Sequence, residues 1–86
     1  RWGLIWEAVP DDSFETVWLS RANHLANGPT LAYGYLKDAL KSSYDNNLNS
    51  QLSLEAKLQN NCGNTRDFQE GVLAFLQKRE AKFEGR

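Results

Sequence analysis

The sequence predicts a mostly α fold, in which one short extended segment is followed by about four amphipathic helices. Three observations carry that expectation. Twelve Leu and eight Ala stand against four Ile plus Val, and unbranched side chains keep more rotamer freedom in a helix than β-branched ones. From Phe14 onward, apolar residues recur at spacings of three and four, which gathers them on one helical face. Polar and Gly/Pro punctuation interrupts the chain at 27–29, 42–47 and 63–65.

Residues 1–10 alone have strand character. Trp2, Leu4 and Trp6 alternate on one side with Ile5 opposite, and Pro10 ends the run. Such a strand has no partner within the chain, and its two indoles call for a covering surface. The first helix is expected to open at Asp12, whose spacing to Glu15 fits a D-x-x-E capping box, and to carry Phe14, Val17, Trp18, Ala22 and Leu25 on its apolar side. Asn27-Gly28 is its expected stop, with Gly28 in the left-handed conformation. Pro29 suits the first turn of the second helix, whose apolar side holds Leu31, Ala32, Tyr35, Leu36, Ala39 and Leu40.

The third helix follows the polar stretch 42–47. It carries a narrower stripe of Leu48, Leu52, Leu54, Leu58 and Cys62, and Gly63 closes it. Asn64 or Thr65 is placed to cap the fourth helix, and Asp67 to complement the positive end of its dipole. Phe68, Val72, Phe75 and Leu76 form an i, i+4, i+7, i+8 stripe, with Lys78-Arg79 at the negative end. The tail 80–86 is polar except for Phe83.

Eighty-six residues allow one small domain, of a size that buries only about 60–65% of its unfolded surface. Ten Lys+Arg against eleven Asp+Glu give a net charge of −1, without the basic excess of a nucleic-acid binder. No apolar run approaches the roughly 18 residues of a membrane span. One cysteine cannot form an internal disulfide, which reads as an intracellular, cytoplasmic chain. There is no methionine, and the chain opens on Arg1-Trp2-Gly3. It is expected to be a piece of a longer protein, or alternatively a processed product.

Covalent chemistry finds little support in the residue types. His24 is the sole histidine, beside no Cys or acidic pair at ligand spacing, and no metal site is predicted. Cys62 reads as a buried structural thiol rather than a nucleophile. Asp11-Asp12 precede an apolar-periodic run, where helix capping is their natural role. There is no P-loop, GxGxxG or CxxC. What the pattern does offer is Phe75 and Lys78, three apart and so on one helix face, near Arg79, Lys82 and Arg86. A ring beside an ammonium suits a flat base next to a phosphate. The other reading of the pair is a core phenylalanine with a cation serving the helix dipole.

Three stretches carry a resemblance to a known family. They are Trp2-Gly3-Leu4-Ile5-Trp6-Glu7-Ala8-Val9-Pro10; Gly28-Pro29-Thr30 with Leu36-Lys37-Asp38-Ala39-Leu40; and 66–79 closing with Phe83-Glu84-Gly85-Arg86. The last has the form D-x-x-E-G-x-x-A-F-x-x-K-R-x-x-x-F-x-G, with many fixed positions. The sequence resembles the C-terminal third of the enoyl-CoA hydratase/isomerase (crotonase) superfamily. Within it, the W-G-L-I-W opening and Gln51-Leu52-Ser53-Leu54-Glu55 are most similar to the epoxide-isomerase branch of phenylacetate breakdown.

The resemblance implies a ClpP/crotonase-like parent fold, in which residues 1–10 leave an N-terminal core and residues 11–86 form a helical domain that covers CoA and builds an oligomer. It implies a homotrimer or hexamer, an acyl-CoA thioester as the parent's substrate, and no separate cofactor. Catalytic groups would lie upstream, leaving this segment inactive by itself. Carried over by residue, Phe75 would contact the adenine or pantetheine part of CoA and Lys78 a CoA phosphate. Neither nucleic acid nor membrane is an expected partner. The alternative is a stand-alone helical interaction module without a catalytic role.

Overall fold

A computed structural model describes residues 2–86, in the order α1 (Asp11–Ala26), α2 (Thr30–Ser43), α3 (Leu48–Gly63) and α4 (Arg66–Gln77). The expected mostly α class holds, with the first three helices ending at the punctuation read from the sequence, while α4 stops at Gln77, short of the expected Lys78-Arg79. No strand forms among the described residues. Residues 3–6 bend instead, with Gly3 at φ 78°. The reason is that a strand needs a neighbour to satisfy its backbone groups, and the segment has none. Arg1 lies outside the described residues.

Side-chain contacts tie the opening segment to α1. The Arg21 guanidinium donates to Glu7 Oε1 at 3.0 Å and sits 4.5 Å from the centre of the Trp6 ring. The start of α1 differs from expectation. Pro10 is the N-cap, and no side chain caps the helix, so Asp12 and Glu15 form no capping box. Asp11 and Asp12 lie in the first turn, where their charges still favour the positive end of the dipole.

Gly28 is not in the left-handed region either. α1 is closed by Asn27, whose backbone N–H (3.0 Å) and Nδ2 (2.9 Å) both donate to Asn23 O. Glycine at 28 leaves room for the Tyr33 ring: a Cβ there would lie 2.8 Å from Tyr33 Cζ, so the ring would have to shift. Pro29 is the N-cap of α2, one position earlier than the first turn.

α2 packs along α3, and α3 touches α4, whereas α1 stands largely apart. The α2–α3 connection is locked by Gln51. Its Nε2 donates to Ala39 O at 3.0 Å, and its Oε1 accepts from Asn46 Nδ2 at 3.1 Å. Asn47 caps α3 by accepting from Ser50 N at 2.9 Å. Ala32, Tyr35 and Ala39 are half-buried toward α3, but Leu31, Leu36 and Leu40 on the same apolar side are exposed.

This sparse packing leaves almost no core. Ala74 is the one buried apolar residue among those described, while 19 large apolar side chains are exposed, including Trp2, Trp6, Phe14, Trp18 and Leu36. The accessible surface is 7524 Å², against about 5,200 Å² for a compact monomer of this mass. The radius of gyration is 16.2 Å, against about 12 Å for a compact domain of this length. The molecule is a flattened slab of 46 × 37 × 19 Å whose apolar faces are largely uncovered.

Candidate functional site

α4 is the most sharply amphipathic of the four helices, and its surroundings hold the two residues singled out in the sequence. Thr65 starts it: Oγ1 accepts from Phe68 N at 3.1 Å and donates to Cys62 O at 2.7 Å, joining the end of α3 to the start of α4. The apolar side of α4 then faces a groove of about 420 Å³, walled by Phe68, Val72, Phe75 and Leu76. Pro29 just before α2, Ala32 of α2, Cys62 of α3 and Phe83 of the tail complete it, with Thr65, Asp67 and Gly71 also in its lining. Phe75 stands at the lip, 84% exposed, and so is not a core residue. Cys62 is half-buried in the groove wall rather than fully buried.

α4 ends at Gln77, and Lys78 takes the left-handed conformation (φ 54°, ψ 45°). Its N–H donates to Phe75 O at 3.3 Å, and Arg79 N donates to Ala74 O at 3.0 Å, closing the last turn. Phe75 and Lys78 are thus joined through one turn, but they do not share a regular helix face, because Lys78 lies beyond the helix. Among the described residues Lys78 forms no ion pair.

The other cations are engaged elsewhere. Arg79 makes a bidentate pair with Glu70, Nη1 at 2.7 Å from Oε2 and Nη2 at 2.9 Å from Oε1. Arg86 pairs with Glu84 at 2.9 Å. The cluster read from the sequence therefore reduces to Lys78 with the exposed Lys82.

Two acidic residues of α4 fold the tail back, and sequence reasoning missed that role in both. Glu70 Oε2 also accepts from Lys82 N at 2.8 Å. The Arg79 guanidinium, and then the Lys82 amide, hold the Glu70 carboxyl down at about 2, well below its ordinary 4.5. Asp67 is buried. Its carboxylate accepts from Glu84 N (2.7 Å) and Gly85 N (2.9 Å), while its own N–H donates to Arg86 O (2.9 Å).

Phe83 is thereby laid over Gly71, and Gly85 is set at φ 77° beside Thr30. A Cβ on Gly85 would lie 2.8 Å from Thr30 Oγ1, so both conformation and space demand glycine there. The signal available in the sequence was the fixed spacing of Asp67, Glu70, Gly71, Arg79, Phe83 and Gly85.

An open apolar groove, with Lys78 and Lys82 forming no ion pair among the described residues just beyond the end of α4, can accept a flat or apolar group next to an anion. His24 sits exposed in the last turn of α1, on a different element from Cys62. Among the described residues no cluster of His, Cys, Asp or Glu could hold a metal ion. No helix among them is long and apolar enough to cross a membrane.

The Enoyl-CoA hydratase/isomerase family matches over residues 1–86. A Rhodobacter capsulatus protein assigned as an enoyl-CoA hydratase is 54% identical over the whole chain, which covers 34% of that protein. The 1,2-epoxyphenylacetyl-CoA isomerase of Escherichia coli is 41% identical, again over the whole chain and 33% of its own length. A crystal structure from Mycobacterium abscessus assigned to the enoyl-CoA hydratase/isomerases superposes with a TM-score of 0.91 at 39% identity, over 99% of this chain and 33% of that one. The chain thus spans about a third of the length of the relatives it matches. With the family matched from end to end and the helices superposing this closely, the chain belongs to the enoyl-CoA hydratase/isomerase family.

Proposed function

We propose that the chain is the C-terminal helical region of an acyl-CoA hydratase or isomerase, where it mediates oligomer assembly and helps to hold the CoA thioester. Residues 1–10 lead from the N-terminal core, and residues 11–86 form the covering domain. The catalytic groups lie in the rest of the enzyme, and this segment turns nothing over alone. Phe75 packs against the adenine or pantetheine part of CoA, and Lys78 binds one of its phosphates. The likeness to the E. coli 1,2-epoxyphenylacetyl-CoA isomerase favours an aromatic epoxyacyl-CoA as the substrate of the longer enzyme.

The observation that carries this reading is an 84% exposed phenylalanine in the wall of an apolar groove, its carbonyl bonded by the backbone N–H of Lys78, a cation that forms no ion pair among the described residues. A large ring held in water is costly, at about 25 cal/mol per Å² of apolar surface, so a ligand or partner that covers it gains that amount. Lys78 adds a charge-assisted contact worth about 1–2 kcal/mol. The test is calorimetric titration of CoA into the longer enzyme and its Lys78→Ala variant. Binding weaker by about five- to thirty-fold is expected. Unchanged affinity overturns the role of Lys78.

A further inference from the structure

The left-handed cap at Lys78 is an oddity that the CoA reading leaves unexplained. Among the described residues it is the one non-glycine with positive φ. A side chain in that conformation is strained, and helices ordinarily place Gly or Asn there. Strain of this kind persists only where surrounding contacts over-determine it, and it points toward function.

Several contacts on either side of Lys78 over-determine it. Immediately after Lys78, Arg79 turns back so that its N–H meets Ala74 O at 3.0 Å and its guanidinium meets both oxygens of Glu70 at 2.7 and 2.9 Å. Three residues further on, the Lys82 amide closes on the same carboxylate at 2.8 Å. Glu70 therefore holds the chain on the far side of the cap at two points. The Phe75 carbonyl holds the near side by accepting from Lys78 N. The backbone that carries the Lys78 ammonium is fixed between them.

We propose that Glu70, acting through Arg79, is a positioning residue for Lys78: the bidentate clamp imposes the left-handed cap and so sets where the ammonium meets a phosphate of the CoA thioester. This rests on the CoA role proposed for Lys78. A backbone pre-set in this way spares the ordering cost of a mobile segment, leaving only the Lys78 side chain itself to be ordered on binding. Arg79 supplies the clamp rather than a second phosphate contact, because its fork is already spent on Glu70.

The test measures KM and kcat in the longer enzyme for an acyl-CoA and for the same acyl group on pantetheine, which lacks the nucleotide and its phosphates. Glu70→Gln puts an amide N–H₂ against the guanidinium and breaks the fork. It is expected to raise KM for the acyl-CoA by about five- to thirty-fold with little change in kcat, and to leave KM for the pantetheine thioester where it was. Added to Lys78→Ala, it should cause no further loss.

Arg79→Lys, which keeps the charge but not the fork, is the milder second variant and should show the same split. Lys78→Gly should raise the melting temperature while weakening CoA binding, since it relieves the strain and removes the ammonium. Equal losses on both thioesters, or additive losses with Lys78→Ala, assign Glu70 a merely structural role and overturn the inference. An effective Lys78→Ala beside a silent Glu70→Gln and Arg79→Lys overturns this inference alone. A silent Lys78→Ala overturns the CoA role proposed for Lys78, and the inference with it.

Discussion

Asp67, Glu70 and Gly71 occupy one stretch of α4, and each is accounted for by the tail that returns over it. Asp67 and Glu70 supply the acceptors, while Gly71 supplies room for Phe83. A Cβ on Gly71 would lie 3.7 Å from Phe83 Cε1, an ordinary van der Waals contact. Replacing Gly71 by Ala should therefore stabilise the chain by up to about 1 kcal/mol through helix propensity. Thermal melting checks this; a lowered midpoint would show that the ring lies closer than the structure has it. Glu70 gives a second prediction. Its folded pKa is depressed from 4.5 to about 2, so the clamp is fully present above 4.5 and is lost as pH falls through the lower value. The Lys82 amide proton, bonded to that carboxylate, should titrate by NMR with a midpoint near 2, and a midpoint at the ordinary 4.5 would mean that Arg79 does not hold Glu70 in solution.

Helices and their limits were largely legible in the sequence, because periodicity and local stop signals write them over a few neighbouring residues. α4 shows this best, since Thr65 caps it as the spacing suggested and Phe68, Val72, Phe75 and Leu76 form its apolar side. Thr65→Ala removes that cap and the tie to Cys62 O, and should cost about 1 kcal/mol, read as a lowered denaturation midpoint. An unchanged midpoint would mean that water replaces the hydroxyl without loss. The opening strand failed because its existence depends on a neighbour, which no local pattern can supply. The Asp12–Glu15 capping box failed because Pro10, with φ −58°, already starts α1 without a side-chain cap.

The tail clasp escaped reading because contacts such as Glu84 N to Asp67 Oδ1, 17 residues apart, leave no periodic trace. For the candidate site, Phe75 and Lys78 were placed correctly at the end of α4. Their expected common face was not, since it assumed helix through residue 78.

At the scale of the molecule, the governing fact is a slab with one buried apolar residue and 19 large exposed ones among those described. Monomeric proteins rarely leave apolar patches beyond a few hundred Å² uncovered, and this surface exceeds a compact monomer's by roughly 2,300 Å². Covered from one side, an excess of that size corresponds to about 4,600 Å² over both partners, the range of obligate interfaces rather than of transient ones. It is consistent with a segment of a family whose members are about three times its length. Its amphipathic helices make sense as one side of a larger core. Sedimentation equilibrium of the 86-residue chain tests this most directly: the account predicts concentration-dependent self-association as the apolar faces cover one another, and a monomer that persists at high concentration would contradict it.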